Sequence, residues 1–169
     1  MNKKLCELDN NLKNLLFAFI LCLTTGVLVG LAYLYHTTQY STKTTIERYN
    51  GSVIDTEDEF AVPENYPKPI SEILITTHNH IISFSFIFFL TGVIFYFNSI
   101  IGGKLKSFLI IEPFISTIIS FGSLMAMRFV DKSFVYVTAF SSTILYLSFF
   151  VMVMVIIYDL KIKKFLPTK

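Results

Sequence analysis

Hydrophobic positions run without interruption, rather than in alternation, along four stretches of the chain: roughly Leu15 to Tyr35, Thr77 to Phe97, Phe108 to Met127 and Phe134 to Tyr158. Each is long enough to cross about 30 Å of hydrocarbon at 1.5 Å per helical residue. Strands of a membrane barrel are near ten residues long and alternate in polarity. Continuous runs of this length predict α-helices, which satisfy their own backbone hydrogen bonds in lipid. The expected fold class is all-α, an integral membrane four-helix bundle with an outer-face loop between helices 1 and 2. The expected layout is an N-terminal segment 1–14, spans at 15–36, 77–98, 107–127 and 134–158, a loop 37–76, a short loop 99–106, a turn 128–133 and a tail 159–169.

Composition agrees, with 53% of residues hydrophobic, 15% charged, no Trp and 18 Phe, which is too apolar for an ordinary soluble domain of 169 residues. Charge then orients the spans. Lys3, Lys4, Lys13, Lys104, Lys106, Lys161, Lys163, Lys164 and Lys169 fall on one side, and Lys43, Arg48, Lys68, Arg128 and Lys132 on the other. Nine against five predicts both termini in the cytoplasm, with 37–76 and 128–133 outside. The first apolar run is too long for a signal peptide and "VLVGLAYLYH" lacks a small-x-small cleavage site, so it reads as a retained anchor. Cys6 and Cys22 support neither an outer disulfide nor a thiolate site. A net charge of +2 gives no reason to expect a nucleic-acid partner.

The long polar segment reads as a cover over the outer mouth of the bundle. Within it "STKTTIERYNG" predicts a short helix stopped at Asn50-Gly51, the cluster Pro63, Pro67 and Pro69 predicts extended backbone, and Ser71 is a candidate cap for the second membrane helix. Asp55, Glu57, Asp58 and Glu59 make an acidic patch, either a solvated loop or a docking surface for a basic partner.

His36 ends the first span, and His78 and His80 begin the second at the same face. A ligand site between helices needs donors at matching height. Positions two apart on a helix point roughly 200° from each other, so His78 and His80 cannot both chelate one ion without unwinding. Arg128 closes the third span at that face, where its guanidinium can pair with Asp131 or with an anionic ligand group. Small residues recur in the spans: Gly26 and Gly30, Gly122 and Ser123, then Ala139, Ser141 and Ser142. The spacing Gly26-x-x-x-Gly30 suits close helix packing, and such residues can equally clear space for a flat cofactor. Together these residues suggest a b-type haem ligated by His36 and by His78 or His80, with Arg128 near the propionates. Alternatives are copper or zinc held by the same histidines with Asp131 or Glu72, or simple enrichment of histidine at a membrane interface.

Glu112, followed by Pro113, is an acid inside the third span, six residues beyond Lys106. It is a candidate for proton uptake or for an ion pair with Lys104, Lys106 or Lys161, and Asp159 at the end of the last span invites the same reading.

The series Tyr49-x-Gly51, Pro67-Lys68-x-Ile70-Ser71-Glu72-x-Leu74 and Thr77-His78-Asn79-His80 resembles a group of small, uncharacterised bacterial four-helix inner-membrane proteins with a Thr-His-x-His start to the second membrane helix. Pro69, inserted between Lys68 and Ser71, departs from that pattern. The resemblance spans residues 36–95 and implies an outer-face feature around His78 and His80, without implying a catalytic residue. Two functions follow as expectations. One is a small haem-binding electron-transfer protein exchanging electrons with a quinol, a periplasmic redox protein or another membrane subunit. The other is a non-catalytic scaffold or accessory subunit, with lipid and partner helices against its Phe-rich faces.

Overall fold

A computed structural model describes residues 4–53 and 62–163. They form five α-helices in chain order: α1 (Asn10–Thr38), α2 (Thr42–Asn50), α3 (Ile70–Tyr96), α4 (Gly103–Phe129) and α5 (Phe134–Ile157). There is no strand among the described residues. A 3₁₀ turn at Leu5–Glu7 precedes α1, and a π turn at Tyr158–Ile162 continues α5. Four of the helices are long and apolar enough to cross a membrane, so the fold is an all-helical, four-span bundle. The acidic positions Asp55, Glu57, Asp58 and Glu59 lie outside the described residues.

α1, α3 and α4 are longer than their apolar runs. Asp9 caps α1, which begins five residues before the hydrophobic stretch, its carboxylate accepting the free N–H groups of Asn11 and Leu12 at 3.0 and 3.1 Å. Gln39 ends it in the left-handed conformation, φ 51°. α3 starts at Ile70, one residue before the expected cap Ser71 and seven before the expected span. Its N-cap is Pro69, extended at φ −67° and ψ 152°, and Ser71 lies inside the first turn without a capping role. Residues 70–76 wind into helix because Ile73 is drawn into a small core with Leu124, Met127 and Val135.

α3, α4 and α5 pack together as a three-helix unit, with α4 and α5 the most intimate pair. Their antiparallel contact is lubricated by small hydroxyl residues: the Ser123 hydroxyl lies 2.8 Å from that of Thr138, and Ser120 donates to the Thr138 carbonyl at 3.4 Å. Phe88 sits at the centre of an aromatic cluster, stacked on Phe84 and edge-on to Phe114 and Phe149. α1 lies at the periphery. In its most apolar stretch 6% of residues are buried, against 44% in α4 and 39% in the last span. Gly26 and Gly30 have nothing within 4 Å of an added Cβ, so their spacing serves no packing within this chain.

The two ends of the bundle are closed differently. α2 covers one end, laying Ile46 and Tyr49, one turn apart, on the Ile73, Leu124, Met127 and Val135 core. The lysine-rich end is closed by hydrogen bonds. Leu5 N–H donates to the Phe97 carbonyl at 3.0 Å, Asn98 Oδ1 accepts from Ile100 and Ile101, and fully buried Asp159 accepts the Ser99 N–H and hydroxyl at 2.7 and 2.6 Å.

Candidate functional site at the capped end

The cap is built from the residues that α2 and the Pro-rich entry to α3 bring together. Asn50 donates from Nδ2 to the Met127 carbonyl at 3.2 Å, tying α2 to the end of α4. Tyr49 offers its carbonyl to Lys68 N–H at 3.0 Å, and Ser52 N–H reaches the Asn65 carbonyl at 3.0 Å, so the segments after α2 and before α3 run against each other. Gly51, at φ +88°, is the turn that permits this. A shallow cleft of about 310 Å³ opens there, lined by Arg48, Asn65, Tyr66, Pro67, Lys68 and Glu72.

Its cations are already engaged. Arg48 donates from Nη2 to the Tyr33 hydroxyl of α1 at 3.0 Å. Lys68 forms an ion pair with Glu72 across the first turn of α3, and its ammonium stands 5.8 Å from the centre of the Tyr49 ring. Burial pushes the Tyr49 phenol above its ordinary range, against the opposing pull of the Arg48 and Lys68 charges. The cap is thus a polar clasp that fastens α1, α2, α3 and α4 to one another.

Arg128 belongs to this clasp. Its Nε donates to the Lys68 carbonyl at 3.4 Å and its guanidinium lies over the Phe129 ring at 5.2 Å. The pairing with Asp131 is not made. Asp131 instead accepts the Ser133 N–H at 2.7 Å, and that bond with the Ser133 hydroxyl holds its carboxyl below the usual carboxylate range.

The three histidines are all exposed and occupy different settings. His36 lies in the last turn of α1 with its ring edge-on to Tyr35 at 5.8 Å. Because α3 begins at Ile70, His78 and His80 lie more than two turns inside that helix. His80 is the one directed at a neighbouring helix: its ring packs on Phe121 of α4 at 5.2 Å and on Phe84 at 6.1 Å, and its Nδ1 is bonded to the Thr76 carbonyl at 2.8 Å. Phe121 is seven residues before Arg128, about 10 Å along α4. His80 and Arg128 are therefore at different heights, contrary to the expectation of one level. Among the described residues no three His, Cys, Asp or Glu side chains gather where they could hold a metal ion.

Glu112 is buried, and it accepts from the Ser116 hydroxyl one turn along α4. None of the expected lysines pairs with it among the described residues: Lys106 donates to the Tyr96 and Asn98 carbonyls, and Lys161 donates to Asn14 Oδ1. Asp159 is likewise held by Ser99 rather than by a direct ion pair. The Ser99 and Asp159 contact, between residues sixty apart, left no signal in the sequence, nor did the bond from Asn50 to Met127.

Four long apolar helices, buried hydroxyl seams and a single polar cap define a multi-pass helical membrane protein. The chain belongs to the Aq_1264_TM family, a transmembrane helical domain that matches residues 39–165, about three quarters of its length. The matched region begins just after α1 and takes in the cap and the α3, α4 and α5 unit. No curated protein and no solved structure matches the chain.

Proposed function

We propose that this chain is a non-catalytic helical subunit of a larger membrane assembly, with the capped α3, α4 and α5 unit as its rigid part and α1 as the helix that meets a partner. The observation that carries this reading is the contrast between α1, the most apolar span and the least buried one, and the well-packed helices beside it. Cys22, Gly26 and Gly30 follow one another at four-residue intervals on α1, the cysteine is exposed and the glycines have open space over them. That stripe admits the close approach of another membrane helix. The lysine bias supports an inner-membrane orientation with both termini in the cytoplasm and the cap outside. The test is native electrophoresis of mild-detergent extracts. The chain should migrate well above its own 19.4 kDa, and replacing both Gly26 and Gly30 by Leu should return it to a folded monomer. A wild-type chain that is monomeric at native abundance sinks the reading.

A second reading, a b-type haem protein for electron transfer with a quinol or periplasmic redox protein, is favoured by His80. With Nδ1 bonded to a backbone carbonyl and its ring steadied by two phenylalanines, Nε2 is left with a free lone pair, the arrangement of a prepared axial ligand. His36 would supply the second imidazole, since His78 points away from His80 on the same unbroken helix, Arg128 would lie near the propionates, and copper or zinc would use the same nitrogens. Absorption spectra of protein purified from haem-replete cells, oxidised and reduced, with metal analysis, decide it. A Soret band that disappears in His80→Ala supports haem, and a colourless, metal-free, folded protein excludes it.

A further inference from the structure

The polar side chains buried between α3, α4 and α5 do not all find partners. Glu112 is 7% exposed, and while its Oε1 accepts from Ser116, its Oε2 has no hydrogen-bond partner. Thr91 on α3 is fully buried, and its hydroxyl is also without a partner. A carboxylate oxygen left bare inside hydrocarbon is costly, and acids at such positions persist where a proton, an ion or another group completes them.

The helix register brings these groups to one level. Phe88 meets Phe114 of α4 and Phe149 of α5, each at 6.3 Å, and a Cβ on Gly92 would stand 3.6 Å from Ile110 Cγ2. Thr91 on α3 therefore runs alongside Glu112 on α4. The contacts of Ser120 and Ser123 with Thr138 set the antiparallel register of α4 and α5, which places Glu112 opposite the turn that holds Ser148. Ser148 is 3% exposed. Side chains so deeply buried in a bundle whose outside faces lipid are directed at neighbouring helices.

Among the described residues no fixed cation shares that level. On α3, Glu72, His78 and His80 lie in the capped half and Tyr96 is the last residue of the helix. On α5, Tyr136 is near the capped start and Tyr146 sets its ring against Phe84. On α4, Lys104 and Lys106 stand at the start and Arg128 at the end, and the charged residues of α2, Lys43, Glu47 and Arg48, with Tyr49, all belong to the cap. The geometry points to a small-cation site inside the bundle, where Glu112 and the hydroxyls of Thr91 and Ser148 bind a proton or a sodium-sized ion. Both are hard cations that such an oxygen set can hold, and both neutralise the acid without a lysine.

The test uses the full chain in lipid nanodiscs and dicyclohexylcarbodiimide, an apolar reagent that attacks protonated carboxyl groups, with the modified residue located by mass spectrometry. Labelling of Glu112 that falls as pH rises and ignores sodium identifies a proton site. Labelling that sodium, but not potassium, suppresses at fixed pH identifies a metal-cation site. Labelling indifferent to pH and sodium overturns the proposal. Infrared difference spectra between wild type and Glu112→Gln read the same carboxyl should the reagent not enter, and a Glu112 signal that responds to neither pH nor sodium overturns it equally. Glu112→Gln keeps an acceptor for Ser116, so the fold is retained. Thr91→Ala and Ser148→Ala should each move the proton or sodium midpoint by roughly three- to tenfold, the worth of one hydrogen bond. Midpoints that stay put in both variants remove those hydroxyls from the site and overturn it as stated.

Discussion

Gly51 and Pro67 meet so closely that a Cβ on Gly51 would stand 2.9 Å from Pro67 Cδ. Gly51 also adopts φ 88° and ψ 152°, a backbone region that side chains other than hydrogen rarely enter. Gly51→Ala must therefore displace the proline ring and strain the backbone together, at a cost of about 1–3 kcal/mol. The expected result is a loosened cap on an intact bundle. Protease added from the cap side should cut between α2 and α3 faster, while the helical circular dichroism stays unchanged. Equal cleavage of variant and wild type would count against the clasp.

Tyr49 makes the same cap sensitive to alkali. Burial holds its phenol above the ordinary value of 10.0, so the folded cap keeps the phenol proton to higher pH than the unfolded chain does. Stabilisation from this group is then complete below about pH 10 and is lost as pH climbs through the raised value. Cleavage of the cap should accelerate at high pH in the wild type and more gently in Tyr49→Phe. Matching pH profiles for the two proteins would remove Tyr49 as the cause.

The four spans were legible because continuous apolar runs of membrane length have one economical solution in lipid. The stop of α2 was legible too, since Asn50-Gly51 offers the chain an exit from the helix. The start of α3 was legible only in part: Ser71 reads as its cap, whereas Pro69 holds that place and seven helical residues precede the expected span, wound there as Ile73 buries against α4 and α5. That extra length is also what moved His78 and His80 down the helix and away from the height of Arg128. The partner of Glu112 was misjudged for a related reason: Ser116 is one helical turn away, whereas at the bundle end Lys106 finds backbone carbonyls and Lys161 the Asn14 amide oxygen.

Asp159 closes the lysine-rich end through one residue. Its two carboxylate oxygens accept the N–H and hydroxyl of Ser99, and the Lys163 ammonium donates to that same hydroxyl at 2.7 Å. Asp159→Ala strands these partly buried donors and should cost about 1–3 kcal/mol. Asp159→Asn keeps one acceptor oxygen and should recover part of the loss. Thermal unfolding in mild detergent ranks the three proteins, and an alanine variant as stable as wild type would show that the network is incidental.

The Phe residues of the membrane helices divide into those that pack and those that face lipid. Phe88 is 1% exposed and touches Phe84, Phe114 and Phe149, whereas Phe86, two positions back on the same helix, is 65% exposed. In a bilayer the surroundings are as apolar as the protein interior, so transfer from water gives Phe88 little advantage over Phe86. What differs is close packing. Phe88→Ala opens a cavity at the meeting point of three helices and should destabilise the fold by about 2–4 kcal/mol, while Phe86→Ala should stay within about 0.5 kcal/mol of wild type. Thermal unfolding of both variants checks this directly. A large loss for Phe86→Ala in the isolated chain would instead mean that the face it occupies is covered by protein.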